Sequence, residues 1–369
     1  MRFASAIFAV IFAGTLWGQK LEPASSAEFC GRCHRAILEA WKTSAHAKAM
    51  ESPIFQEGLE MTAASLGAGS DRLCLSCHAP LAALIQDAGM RQKVTWEGIT
   101  CDYCHSVRTV STLNGNWKAA VELSLVKTGP LKDVVAPTHG TQFSAVHTSS
   151  LICAPCHEYR NSLGFAVLTT YSEWEKSRYA REGKDCQSCH MYQVAGAVVD
   201  PKIKKTPEAK VNLHQMPGSR SIEQLNKTIK AQMSTSREGD RLKVTVHVAN
   251  VAAGHYVPTG SPMRQLILEV TAAPFGGDAM RQERIYRRTV VDQQDKPVTL
   301  EPFAFLRGAK NVTDNRLAPD EKRVETFTFP LKAGVQAQVQ ASFWYYYSPL
   351  ARTESQKRIS FLNVRRLVR

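Results

Sequence analysis

All ten cysteines of this 369-residue chain fall in five copies of one pattern, Cys-x-x-Cys-His, and that pattern limits the fold more than any other feature. The copies are Cys30-Gly31-Arg32-Cys33-His34, Cys74-Leu75-Ser76-Cys77-His78, Cys101-Asp102-Tyr103-Cys104-His105, Cys153-Ala154-Pro155-Cys156-His157 and Cys186-Gln187-Ser188-Cys189-His190. Two thiols three residues apart share one helical turn, and the next residue brings an imidazole to the same side. This suits two thioethers to the vinyl groups of one haem c, with the histidine as proximal ligand of its iron. About 0.01 copies are expected by chance at this composition, so five copies that use every cysteine point to five covalent haem c groups. A disulfide scaffold or a set of zinc sites also pairs cysteines. Both leave the recurring histidine unexplained, and five pairs do not divide among metals that need two pairs each.

Six histidines remain: His46, His139, His147, His214, His247 and His255. Five six-coordinate irons require five distal ligands. Residues 241–250 alternate as a strand, with Leu242, Val244, Val246 and Val248 on the buried face and His247 opposite, so His247 is set aside. His255 lies in Gly254-His255-Tyr256-Val257-Pro258-Thr259-Gly260, a loop whose glycines and proline fix an unusual path. The expected distal set is His46, His139, His147, His214 and His255; Met191, directly after His190, is too close to bind the opposite face of the same iron, and Met50, Met216 and Met263 read as packing. With histidine on both faces no iron has a free position, which is electron-transfer chemistry and names no catalytic residue. Histidine in place of methionine also predicts low potentials.

The motifs span residues 30–190, too densely for a side-chain core of the usual kind, so the haems themselves are expected to form it. The segment repeats internally. Glu97-Gly98 precedes Cys101 as Glu182-Gly183 precedes Cys186, and Trp41-x-x-Ser44-x-His46-Ala47 is echoed by Trp174-x-x-Ser177-x-Tyr179-Ala180. Tyr179 therefore stands where a ligand histidine stands in the first copy. Either the repeat reuses a packing device and the fifth haem finds its ligand elsewhere, or that haem keeps an open or tyrosine-lined face. A small hairpin is expected within residues 110–133, around Val121 to Val126 and Gly129-Pro130.

Fold class is expected to be α+β in two domains. Residues 20–193 form a mainly helical and irregular pentahaem domain, and residues 194–240 a lysine-rich linker packing on it, with His214 and a helix over 221–233. Residues 241–369 form an immunoglobulin-like β-sandwich, from strand-like runs near 242–248, 265–271, 324–329, 335–347 and 359–364.

Arg2, the apolar run Phe3 to Trp17 and Gly18-Gln19-Lys20 read as a signal peptide over residues 1–19. The run is shorter than the roughly 20 residues a membrane span needs. No later segment is apolar enough to span. The expected location is periplasmic, with the cell surface as the alternative. The formal charge of +13 would suggest nucleic acid, but five haems with ionised propionates bring it down to roughly +7, so no nucleic-acid partner is expected. The remaining basic excess, including Lys202, Lys204, Lys205 and Lys210, suits redox protein donors and acceptors, in a homo-oligomer or cytochrome complex, or is a solvated linker face.

Several segments together resemble the multihaem cytochromes c related to the nitrifiers' tetrahaem cytochrome that accepts electrons from hydroxylamine oxidoreductase, in particular the bacterial members with a C-terminal β-sandwich. They are residues 41–47, Glu97-Gly98-Ile99-Thr100-Cys101, Ser150-Leu151-Ile152-Cys153, residues 186–191, and Gly254-His255 to Gly260 with Leu317-Ala318-Pro319 downstream. The resemblance implies electron transfer through closely stacked haems, with the glycine-histidine loop supplying a distal ligand. Five haems in place of four, and Tyr179, are the departures. The enzymatic alternative is a multihaem oxidoreductase acting on a small nitrogen or sulfur compound at one five-coordinate iron, although pentahaem nitrite reductases typically carry lysine where all five motifs here carry histidine. A subunit of an extracellular cytochrome filament is the third reading.

Overall fold

The structure is a computed structural model that describes residues 24–67, 69–205 and 209–369; the expected signal segment lies outside the described residues. Up to residue 190 the chain makes mostly short helices, loops and small two-stranded sheets. Each motif sits on or beside one of the helices Ala27–Gly31, Asp71–His78, Cys101–Cys104, Ala154–His157 and Cys186–His190. Local capping starts two of them: Ser26 accepts from the Phe29 amide and Thr100 from the Tyr103 amide. Conventional core is scarce here. Met50, Leu75, Ala79 and Ala82 form one small cluster, and Ala27, Leu38 and Trp41 another.

The expected hairpin lies earlier than its apolar run suggested. Val107–Leu113 pairs with Asn116–Val121 across Asn114-Gly115, both with positive φ (50° and 74°). Asparagine and glycine tolerate that conformation, so the turn, not the following Val121 to Val126, sets the register. Val126–Gly129 instead pairs in parallel with Gly140–Phe143.

Beyond residue 228 the architecture changes. One sheet has three antiparallel strands, with Arg241–Asn250 between Lys322–Pro330 and Ile229–Glu238. A second runs in the order Met280–Tyr286, Gln265–Pro274, Ala337–Tyr346, Arg358–Val368, again antiparallel. Period-2 alternation sends Leu242, Val244, Val246 and Val248 to one face, where they meet Leu266, Leu268, Val270, Val339, Ala341 and Phe343 in a single core. The helix expected over 221–233 runs only over Ile222–Thr228, because Ile229, Ala231 and Met233 alternate and their backbone completes the first sheet. Residues 194–240 are therefore more structured than a linker. The antiparallel pair Gln193–Gly196 with Ala209–Asn212 begins one residue before them.

A third, small sheet of Arg288–Val291, Pro297–Val298 and Lys310–Asp314, with the helix Glu301–Arg307, packs on Phe165 and Val167 from the motif-bearing region. Arg288, 3% exposed, donates to the carbonyls of Ala166 and Val167, and Asn161 Nδ2 donates to Gly308 O at 2.7 Å. The two regions thus share buried polar contacts. Among the described residues no helix is long and apolar enough to cross a membrane.

Candidate haem-binding site

Between the short helices lies one connected cavity of about 3100 Å³. All ten cysteines and ten of the eleven histidines line it; the exception is His247, exposed on its strand. Divided among five sites the cavity gives about 620 Å³ each, within the roughly 300–1,000 Å³ of a pocket for one organic ligand. The donor set, five thiol pairs each followed by an imidazole, fits five covalent haems.

The histidines oppose one another in pairs. Two imidazoles sharing a metal through bonds of about 2 Å have centroids roughly 6 Å apart. His34 and His139 are 6.3 Å apart, His46 and His157 6.3 Å, His105 and His214 6.4 Å, and His190 and His255 6.4 Å. Each pair joins a motif histidine to one from the expected distal set. Backbone carbonyls orient the rings: Nδ1 of His34, His105 and His190 lies 2.7, 2.7 and 2.6 Å from the oxygens of Val198, Thr128 and Pro217. Nδ1 of His139, His214 and His255 meets the oxygens of Gly140, Asn212 and Tyr256 at 2.9, 2.7 and 2.9 Å. A proton held on Nδ1 leaves Nε2 free to bind metal. Burial lowers the pKa of His46 and His214 to about 4 and of His157 to about 3, and lowers that of His105 and His255, so these rings stay neutral with a lone pair available.

His147 and His78 break the pattern. His147 is 8% exposed, its Nε2 lies 3.0 Å from the Cys104 carbonyl, and its ring is 5.5 Å from that of His105. It sits beside the third motif, not opposite the second. Near His78 the neighbouring ring is Phe55, stacked at 4.0 Å and 16°. Among the described residues no histidine ring opposes His78 at a metal-sharing distance. Nδ1 of His78 and of His147 are both buried without a partner.

The internal repeat proves to be a packing device. Trp41 Nε1 donates to Ile99 O at 3.0 Å and Trp174 Nε1 to Lys184 O at 2.9 Å, in each copy the residue after Glu-Gly. At Gly98 (φ 72°) an added Cβ would stand 2.3 Å from the His46 carbonyl, so only glycine lets that turn cross behind His46. In the second copy Tyr179 turns away from the ligand role: its hydroxyl donates to Val251 O at 3.0 Å, and Gly254 packs on its ring.

The motifs also touch one another. The sulfurs of Cys30 and Cys101, Cys77 and Cys156, and Cys153 and Cys186 are neighbours, and Cys104 lies near both Cys153 and Cys156. The fourth motif thus adjoins the second, third and fifth, and the third adjoins the first. Arg32, Lys48, Lys204, Lys210 and Arg264 line the cavity as cations available to propionates, while Lys127 is paired with Asp102; Lys204 and Lys210 come from the lysine cluster seen in the sequence. Phe55 was not singled out from the sequence, because an aromatic in the first turn of the apolar helix Pro53–Leu66 reads as ordinary packing.

The cytochrome c554 and c-prime family matches residues 29–106. Over 94% of this chain and 100% of the other, the fold is similar to that of the penta-heme cytochrome c552 from Thermochromatium tepidum, at 22% identity and TM-score 0.75. The ApaA protein of Bordetella pertussis matches 38% of this chain and 90% of its own at 12% identity and TM-score 0.22, too low to bear on the fold. No curated protein matches. The family match takes in the first three of the five motifs, and the likeness to the penta-heme cytochrome is one of fold.

Proposed function

We propose that this chain is an exported electron relay with five covalently bound haem c groups, four of them held between two histidines and the fifth held by His78 alone. Residues 20–193 are read as the haem-bearing domain and residues 241–369 as an immunoglobulin-like sandwich domain, working in the periplasm or at the cell surface between redox protein donors and acceptors. The observation that carries this reading is the convergence of every cysteine and ten histidines on one cavity, eight of those histidines in four opposed pairs.

When bound, the haem irons supply one-electron chemistry at low potential. The chain's own part would be to hold the imidazoles of each pair in place, through Nδ1 contacts to fixed carbonyls. Rigid ligation of this kind changes little between oxidation states. Contact between motifs brings the five sites within one packed array, branched at the fourth motif.

The one motif histidine outside the four pairs, His78, favours a second reading for that site alone. Phe55 stacks on the His78 ring itself, and among the described residues no imidazole opposes it, which leaves one position of that iron for a small molecule. Haem analysis together with low-temperature electron paramagnetic resonance of the oxidised holoprotein tests the assignment. Five haems per chain, four low-spin and one high-spin, is the expected result. A spectrum without a high-spin component sinks the assignment at His78, and two or more high-spin haems sink the paired ligation.

A further inference from the structure

The loop carrying His255 is fastened by a buried ion pair whose two halves come from distant parts of the chain. Glu173, on the helix Thr170–Glu175 just before the fifth motif, is 8% exposed. Its Oε2 accepts from the Tyr256 amide at 3.1 Å and from the Thr259 hydroxyl at 2.7 Å. Its Oε1 accepts from the Thr169 hydroxyl at 2.6 Å and from Arg316 Nη1 at 2.8 Å. Arg316, 6% exposed, also donates to both oxygens of Asp314, at 2.9 and 2.8 Å, and to Pro258 O at 3.2 Å, and its guanidinium lies 4.7 Å from the centre of the Tyr256 ring.

The Tyr256 residue is the link to the ligand. Its carbonyl takes Nδ1 of His255 at 2.9 Å, while its amide is held by Glu173. The next residue, Val257, exchanges both backbone hydrogen bonds with Leu317, adjacent to Arg316, at 2.9 and 3.0 Å. The backbone on both sides of Tyr256 is therefore tied to one carboxylate and one guanidinium. A buried ion pair is costly to desolvate, and is tolerated where every donor and acceptor is satisfied, as at Glu173.

We infer that Glu173 and Arg316 are positioning residues that hold His255 against its iron, so that ligation at the fifth motif depends on a contact between the motif-bearing region and the C-terminal sheets. This rests on the reading of His190 and His255 as one bis-histidine site. Removing Arg316 leaves Glu173 buried without its cation, and removing Glu173 takes the acceptor from the Tyr256 amide and the Thr259 hydroxyl while Arg316 keeps Asp314; either way the loop gives way at Tyr256, releasing the imidazole.

Carbon monoxide binding to the dithionite-reduced holoprotein, in equivalents per five haems, reads this out. Wild type sets the baseline, and His255→Ala gains one further equivalent; without that gain the bis-histidine reading fails, independently of Glu173. Glu173→Ala gains most of one equivalent, and the double variant Glu173→Ala with His255→Ala gains no more than His255→Ala alone, because both act at one iron. A wild-type equivalence in Glu173→Ala, or additional sites in the double variant, overturns the inference. Should Glu173→Ala not accumulate with five haems, Thr259→Val decides: it removes one of the two loop hydrogen bonds and speeds carbon monoxide binding at that site several-fold, and an unchanged rate overturns the inference.

Discussion

The two halves of this molecule solve the problem of a core differently. In the C-terminal sheets, 26 buried apolar side chains among the described residues meet in one cluster. The motif-bearing half offers clusters of four and three around a cavity of about 3100 Å³. The first half-chain that a ribosome makes therefore lacks the apolar contacts to order itself, while the second has them in its own sequence. Burial of apolar area is the dominant favourable term in folding, so the difference predicts where stability resides when the haems are not attached.

The largest expected effect follows directly. Full-length chain produced without haem attachment, then digested briefly with a nonspecific protease, is cut throughout the first 190 or so residues. A resistant fragment remains that begins near the helix Ile222–Thr228 and runs to the C-terminus. The small third sheet is intermediate, because its cluster borrows Phe165 and Val167 from the region that has lost its order. Equal resistance of both halves in the haem-free chain breaks the comparison.

What was legible in the sequence divides along the same line. Alternation exposed most long strands of the second half, because period 2 is a local signal. Ile229–Glu238 was missed, since its apolar residues continue from a helical run and only pairing with Arg241–Asn250 makes it a strand. In the first half the five motifs announce themselves and their chemistry. The partner of each motif histidine is not a local property, because it depends on loops that return across the cavity from up to about a hundred residues away. His139 and His147 look alike in sequence, both in loops before the fourth motif, yet one faces His34 and the other bonds the Cys104 carbonyl. Glu173 and Arg316 carried no signal at all, lying 143 positions apart.

A smaller effect sharpens the contrast inside the motif-bearing half. Burial, with the nearby His105, lowers the pKa of His147 to about 4 from the ordinary 6.5. The folded state therefore binds fewer protons than the unfolded state between pH 6.5 and about 4, and stability falls as pH falls through that window. His147→Gln keeps a donor for the Cys104 carbonyl and removes the titration. Acid unfolding followed by near-ultraviolet circular dichroism moves to lower pH in the variant, while the electron paramagnetic resonance spectrum stays as in wild type. A new high-spin haem in His147→Gln instead assigns His147 as a ligand and breaks the pairing of His105 with His214.

The smallest effect is expected at His247. It lies on the central strand of the three-stranded sheet, opposite Gln232 on one neighbour and Val324 on the other, and its side chain faces solvent while Val246 and Val248 enter the core. Exposed substitutions of this kind stay within about ±0.5 kcal/mol. His247→Ala therefore leaves the thermal midpoint, the haem spectrum and the carbon monoxide equivalence unchanged. His255, only eight residues further on, opens an iron when replaced, and the contrast follows from which way the backbone turns: a regular strand holds one imidazole away from the cavity, and the Gly254 to Gly260 loop carries the other into it. A spectral change at any haem in His247→Ala requires a different path for that strand and undoes the separation of the sheet core from the haem cavity.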